Sequence, residues 1–407
     1  NSPEFHVSPH FPVAPVLLEG SQSTKVGQSF GTMKVGYYDQ YGNPIPLKVS
    51  ARIDGEINDQ GSTGGDFYST NGPANFVWAV PDVNGEATLP ALTANGVPGT
   101  WKLTLGGEGT DLTTEYQMSN LTGDAATMTL SLSPTLVPAD GVSEVNATIQ
   151  LTDQFDNPVA GDQVDLSSDG TQGIGPVTDH GDGSYIGLIT ASTKAGQFTI
   201  TATDSSVGTS LSKSADLTQT ALAPETITLT LSLANLPADG KSTTKAEAVV
   251  QDRFGNAVPD TQVAFASDGG QSIGPVSEIS PGSFSSTITA SKAAGSSQIS
   301  ASLIGANPAV SAGQTLQQTT VKVIKPKLKF TKKPKKKVKA KKVKFKFKVT
   351  KGKAKSFQCK LDKKKWSKCK SPKKIKLKKG KHVFKVRGVA TDGSFGKTLK
   401  YKVKRVG

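Results

Sequence analysis

The sequence is poor in the groups from which active centres and membrane anchors are made. It has two cysteines, four histidines and three tryptophans in 407 residues, and 6% of it is aromatic. There is no Cys-x-x-Cys and no zinc-ligand spacing. His6, His10, His180 and His382 lie far apart except for the first two, which Pro9 keeps from sharing a regular helix. No metal and no cofactor is expected. No run of 18 apolar residues occurs, so no membrane-spanning helix is expected either. Two cysteines, by number alone, constrain the redox compartment weakly. A hydrophobic content of 35% beside 42 Gly and 23 Pro suits small β-sandwiches with thin cores, not one large enzyme core.

What the sequence has instead is repetition. Pro138-Ala139-Asp140-Gly141 returns as Pro237-Ala238-Asp239-Gly240, and Asp153-Gln154-Phe155-Asp156-Asn157 as Asp252-Arg253-Phe254-Gly255-Asn256, each 99 residues on without a gap. Ile174-Gly175-Pro176-Val177 and Thr190-Ala191-Ser192 repeat at the same interval. A unit of that length holds a complete domain core, unlike the roughly 20 to 50 residue units of solenoids. Inside each copy, alternating runs are separated by Gly, Asp, Asn and Pro clusters about every 8 to 12 residues, which predicts an antiparallel sandwich. In residues 153–157 the Asp can bond backbone amides beyond the strand and Asn157 tolerates a left-handed conformation. Turn chemistry therefore explains them better than catalysis.

These motifs, in this order and with Gly181-Asp182-Gly183-Ser184-Tyr185 between the last two, resemble the bacterial immunoglobulin-like repeats of the invasin and intimin family. The resemblance covers about residues 124 to 322 and implies an extracellular, non-catalytic spacer module. The second copy departs from it at residues 278–282, where the Gly-Asp-Gly is missing. Near the C-terminus, Phe357-x-Cys359-x-Leu361-Asp362, Trp366-x-x-Cys369-x-Ser371-Pro372 and Gly380-Lys381-His382-x-Phe384 are similar to a β-sandwich module of secreted actinobacterial proteins. That second resemblance implies a disulfide between Cys359 and Cys369. Two reduced buried thiols are the alternative.

The reading is an all-β protein: four tandem immunoglobulin-like β-sandwich domains over residues 21–122, 123–222, 223–322 and 323–407, with an N-terminal extended strand in residues 1–20. In the first domain Asp39-Gln40-Tyr41-Gly42-Asn43 repeats the turn pattern, and Trp78 and Trp101 are expected in the core. Residues 55–72 read as an enlarged Gly-rich loop. In the last domain residues 343–349 alternate strictly, so Val343, Phe345, Phe347 and Val349 face a core while Lys344, Lys346 and Lys348 line the outside. Lys376 and Lys385 extend the same device, and residues 332–342 read as a mobile basic link. From Lys322 onward there are 37 Lys and Arg against two acids, a net +35, while the rest carries 11 basic and 31 acidic residues, a net −20.

Residues 1–20 pose the main question. Phe5, Val7, Phe11 and Val13 fall on alternate positions with Val16 beyond, a strand period interrupted by prolines that suit only an edge. One reading is a donor strand that binds another copy of the chain through Phe5, Val7, Phe11, Val13 and Val16. The other is a disordered tail. A start at Asn1 fits a secretory leader already removed, or a cloning remnant. Asp169, Asp179 and Asp182 are the best calcium candidates, though turn formation accounts for them equally well. Residues 27–31 fit a nucleophile-elbow pattern without the helix it needs. Asn120 and Asn146 fit glycosylation acceptors.

Two functions compete, neither enzymatic, and both place the protein at or beyond the cell surface. The preferred one is a subunit of a self-assembling fibre, joined by strand donation and by attraction between acidic and basic ends, with other copies as its partners. The alternative is a monomeric adhesin or stalk whose basic domain binds anionic surface polymers. DNA would adhere through counterion release whatever the biology, so no specific nucleic-acid partner is expected.

Overall fold

In a computed structural model of the chain, the described residues are all but 1–10, 55–62, 70–71, 207–210, 307 and 321. Every regular element among them is a β-strand. The chain divides into two units, residues 1–226 with 250–259, and residues 227–249 with 260–407.

In the first unit, the first module joins Val16–Glu19, Lys34–Gly36 and Glu86–Thr88 in one sheet. A second sheet holds Ser23–Lys25, Thr113–Leu121, Gly99–Gly107, Val49–Asp54 and Phe76–Ala79. Alternate positions of these strands supply the core, including Trp101, Leu103, Leu105 and Met118, joined by Tyr37 just beyond Lys34–Gly36. Trp101 meets Phe30 edge to face at 5.7 Å, and its Nε1 donates to Asn120 Oδ1 at 2.9 Å. Such a partner is what a buried indole N–H requires. Trp78 departs from expectation. Val77 and Ala79 take the inward positions of its strand, so Trp78 stands outside with 47% of its surface exposed, edge to face with Phe76 at 5.4 Å. Parity along the strand outranks ring size.

The N-terminal ribbon belongs to this same module. Val16 pairs with Gly36 and Leu17 with Val35, antiparallel. Just ahead, Val13 N donates to Tyr38 O at 3.1 Å, matching Ala126 N to Thr152 O at 2.8 Å and Glu225 N to Gln251 O at 2.9 Å. Val16–Glu19 is thus the first strand of its own sandwich, with Pro12 and Val13 bridged to the same module just ahead of it, and the boundary expected at residue 20 falls inside a domain. This corrects the donor-strand expectation for Phe11, Val13 and Val16, because the sheet that donation would seek in a neighbour is already found at home. Their side chains stay 75%, 43% and 36% exposed, and the strand is placed by its backbone pairing together with Leu17, which packs against the core. Phe5 and Val7 lie outside the described residues.

The second module pairs Thr127–Ser133, Glu144–Thr152, Ser184–Thr190 and Gly173–Asp179 in one sheet. Leu136–Pro138, Leu211–Thr220, Gly196–Asp204 and Val164–Ser168 form the other. The short Leu136–Pro138 runs parallel to Leu211–Thr220, as Ser23–Lys25 does to Thr113–Leu121. At its leading end Asp153 Oδ1 accepts from Phe155 N at 2.9 Å and Asn157 N at 3.0 Å, and Oδ2 accepts from Gly123 N at 3.0 Å. The left-handed residue of this turn is Asp156, at φ 64°, in place of the expected Asn157. Gly42 and Gly255 take that position in the other two copies, at φ 83° and 82°. A Cβ is disfavoured there, although Asp is among the side chains that tolerate it.

In the second unit, the third module aligns residues 243–249 against Ser283–Thr289, with Ala246, Ala248, Phe284 and Ile288 buried. The basic module is a further sandwich. Lys327–Lys332, Lys342–Lys351 and Lys373–Lys376 form one sheet. Lys337–Val338, Leu399–Arg405, Gly380–Val389, Ser356–Leu361 and Ser367–Cys369 form the other. Phe345 stacks on Phe384 at 4.3 Å between the two. Residues 332–342, read above as a mobile link, contain the short strand Lys337–Val338, paired parallel with Lys404 and Arg405.

Candidate functional site: a lysine-faced sandwich

The basic module folds because its charge is confined to one side of each strand. In Lys342–Lys351, Val343, Phe345 and Phe347 are buried while Lys342, Lys344, Lys346 and Lys348 are exposed. Cross-strand register then sets lysine against lysine. Lys348 lies opposite Lys329, Lys346 opposite Lys332, Lys344 opposite Lys374 and Lys342 opposite Lys376. Like charges directly opposite destabilise a sheet by a few tenths of a kcal/mol or more per pair. The ion pair described in this module joins His382 Nδ1 to Asp362 Oδ2 at 2.7 Å, away from that face. A folded domain that keeps such a field unneutralised offers it to an anion.

Of the five lysines expected on the basic surface, Lys344, Lys346, Lys348 and Lys376 share this sheet. Lys385 does not. It lies in Gly380–Val389 of the opposite sheet, between Lys360 and Lys400, so the sandwich carries lysines on both outer sides. A groove of about 390 Å³ is lined by Lys360, Lys364, Lys365, Lys373, Lys374 and Lys376, with Ile375 and Phe384 at its floor. Sequence inspection missed this cluster, apart from Lys376, because only the pairing of Ser356–Leu361 with Ser367–Cys369, and of Lys373–Lys376 with Lys342–Lys351, brings these lysines to one groove. Trp366, named above only as part of the cysteine-hairpin motif, has its ring 4.3 Å from the Arg387 guanidinium and 5.3 Å from Lys360 Nζ. Arg387 lies over Phe395 as well, at 3.5 Å, and donates to Gln358 Oε1 through Nε and Nη2 at 3.0 and 2.7 Å. The outward aromatics here contact the chain's own cations, which lessens their use as a platform for bases.

Cys359 and Cys369 are bonded to each other in adjacent strands of this module and are buried. Nearby, Asp362 also accepts from Val383 N at 2.7 Å. Burial works against its charge, but the His382 and Val383 hydrogen bonds outweigh that and lower its pKa. The same bond from Asp362, with the Lys378 carbonyl, raises that of His382.

The calcium candidates are not brought together. Asp179 accepts from Gly181 N in its own turn and from the distant Gly161 N, Asp182 accepts from Ser184 in its own turn, and Asp169 accepts from the distant Thr199 N, so each is engaged by backbone amides. Among the described residues no group of three such ligands gathers. Ser29 of the elbow-like pattern donates to Leu92 O at 3.3 Å. Asn120, offered as a glycosylation acceptor, is buried and bonds Gly64 O at 2.7 Å and Asn95 Oδ1 at 2.9 Å.

Comparison with known proteins places the middle of the chain. The family described as invasin, domain 3, matches residues 124–222 and again 223–322. The inverse autotransporter adhesin YeeJ of Escherichia coli (strain K12) is 30% identical over 200 residues, 46% of this chain but 8% of its own length. The matched stretch is thus under a tenth of that relative. Among solved structures, invasin, titled a bacterial integrin-binding protein, is 18% identical with a TM-score of 0.43, covering 97% of this chain and 79% of its own. InvD of Yersinia pseudotuberculosis is 15% identical with a TM-score of 0.43, covering 68% of this chain and 97% of its own. Residues 124–322 are therefore two tandem bacterial immunoglobulin-like repeats of the invasin and intimin type.

Proposed function

We propose that the chain is a non-catalytic cell-surface adhesin or stalk whose basic C-terminal module binds anionic surface polymers such as teichoic acid or acidic polysaccharide. The observation that carries this reading is the lysine-on-lysine register of the outer sheet, continued into the six-lysine groove. The matched relative is named an adhesin, which supports the surface location. A self-assembling fibre, the other reading, drew its specific support from strand donation, and Val13 and the strand Val16–Glu19 are paired within their own module. Charge alone guides encounter but does not hold subunits, since the field fades over about 8 Å at physiological salt.

Binding of the full chain to immobilised lipoteichoic acid and to neutral dextran, measured across a salt series, tests the proposal. Binding to the polyanion alone, falling steeply between about 50 and 200 mM salt, is expected. Lys344→Glu, Lys346→Glu and Lys348→Glu together should weaken it at least tenfold. An undiminished affinity in that triple variant overturns the assignment.

A further inference from the structure

Each of the first three modules opens on the same turn. In residues 39–43, 153–157 and 252–256 the Asp Oδ1 accepts from the aromatic N–H and the Asn N–H at 2.8 to 3.0 Å, and the Asn Nδ2 donates back to the Asp. In two of the three the Asn also reaches out of its module. Asn157 Nδ2 donates to Gly96 O at 2.7 Å, and Asn256 Nδ2 donates to Thr193 O at 2.9 Å, while Asn256 Oδ1 accepts from Ala195 N at 2.9 Å.

The two receiving loops are equivalent. Each precedes a glycine at extended positive φ, Gly99 at 137° or Gly196 at 149°. Each is held by a buried amide of the module's last strand, Asn120 bonding Val97 O and Asn95, and Gln219 bonding Ser192 O and Lys194 O. Phe155 completes the first joint by packing against Gly27, where a Cβ would fall 2.8 Å from its ring.

The 39–43 turn has the same construction and no such loop upon it among the described residues. Tyr41 is 72% exposed, against 37% for Phe155 and 41% for Phe254, and Asn43 is exposed where Asn157 and Asn256 are half-buried. We propose that this turn is a seat for the trailing loop of a further immunoglobulin-like module joined directly ahead of it on the same polypeptide. Asn43 would donate to a loop carbonyl and Tyr41 would pack on a residue without bulk. A contact this small falls far short of the roughly 1,000 Å² that a stable association in trans needs, so the occupant must be tethered.

The sequence fits a tether at this point. Met118 and Leu217, buried in the last strands of the first two modules, stand eight residues ahead of Ala126 and Glu225, and Phe5 stands eight ahead of Val13. This inference is independent of what the lysine face binds.

The test replaces residues 1–10 of the full chain with a second copy of residues 124–222, so that the added Leu takes the position of Phe5 and the added copy keeps the Gln219 amide that holds its loop. Hydrogen exchange of the Asn43 side-chain amide and of the 39–45 backbone is then compared in the extended and original chains. Exchange slowed at least tenfold on extension, and restored by Asn43→Ala with Tyr41→Ala in the backbone signal, is expected. Asn157→Ala should speed exchange in residues 94–97 in both chains, which shows that the method reads a seated joint. Unchanged protection at residues 39–45 on extension, with the Asn157→Ala effect present, overturns the proposal.

Discussion

Asp153 gathers three backbone amides and the Asn157 side chain around one buried carboxylate, tying the linker residue Gly123 to the turn that opens the second module. Burial opposes its charge, but the Asn157 side chain and the amides of Gly123, Phe155 and Asn157 prevail and lower its pKa. With the folded pKa below the unfolded one, this stabilisation is complete above the ordinary carboxylate range and is lost as pH falls through the folded value. Asp153→Ala should cost about 2 to 4 kcal/mol at neutral pH in urea unfolding, since hydrogen bonds to a charged group are among the stronger ones. The variant should also lose less stability than the native chain between pH 5 and pH 2. An equal acid response in both would count against this role for the carboxylate. The turn half of this role was legible in the sequence because those bonds lie within four residues of Asp153, whereas the bond from Gly123, 30 residues earlier, was not. Trp78 was not legible, because nothing local says which side of its strand faces the core.

At the scale of the element, alternation in residues 343–349 announced a strand with one apolar and one basic side, and the structure has it. Alternation did not announce the neighbours. The facing of Lys346 by Lys332, and of Lys344 by Lys374, follows from strand order and register. Lys346→Glu replaces a like pair by an opposite one, so the basic module should gain about 0.5 to 1 kcal/mol, read as a higher midpoint in thermal unfolding. A destabilised Lys346→Glu module would contradict the register argument. The N-terminal ribbon teaches the same lesson. Its period and its prolines marked an edge strand, while the choice between its own sheet and a neighbour's depended on Lys34–Gly36 and the Tyr38 carbonyl lying beside it.

Across the whole molecule, charge is divided by module: a net +35 from Lys322 onward, against −20 in the remainder. Repulsion within the basic module is screened by salt, whereas the modules of mixed charge have less to gain. Calorimetry of the full chain should show one transition moving upward as sodium chloride is raised and the others moving less. A basic module indifferent to salt would mean that its lysines are neutralised within the fold.

The sequence by itself determined the repeat length, the all-β class, the turns and the charge division, because each is written in spacings shorter than one module or in composition. Tertiary structure alone decided which sheet takes the first strand, which side Trp78 occupies, how six lysines from separate segments meet in one groove, and that an Asn in a turn reaches the preceding module's loop. Those outcomes depend on which strands pair and in what register, whether the partners are neighbours in the chain, as around the groove, or far apart in it. The period of a strand states how it can be buried, and only its neighbours state against what.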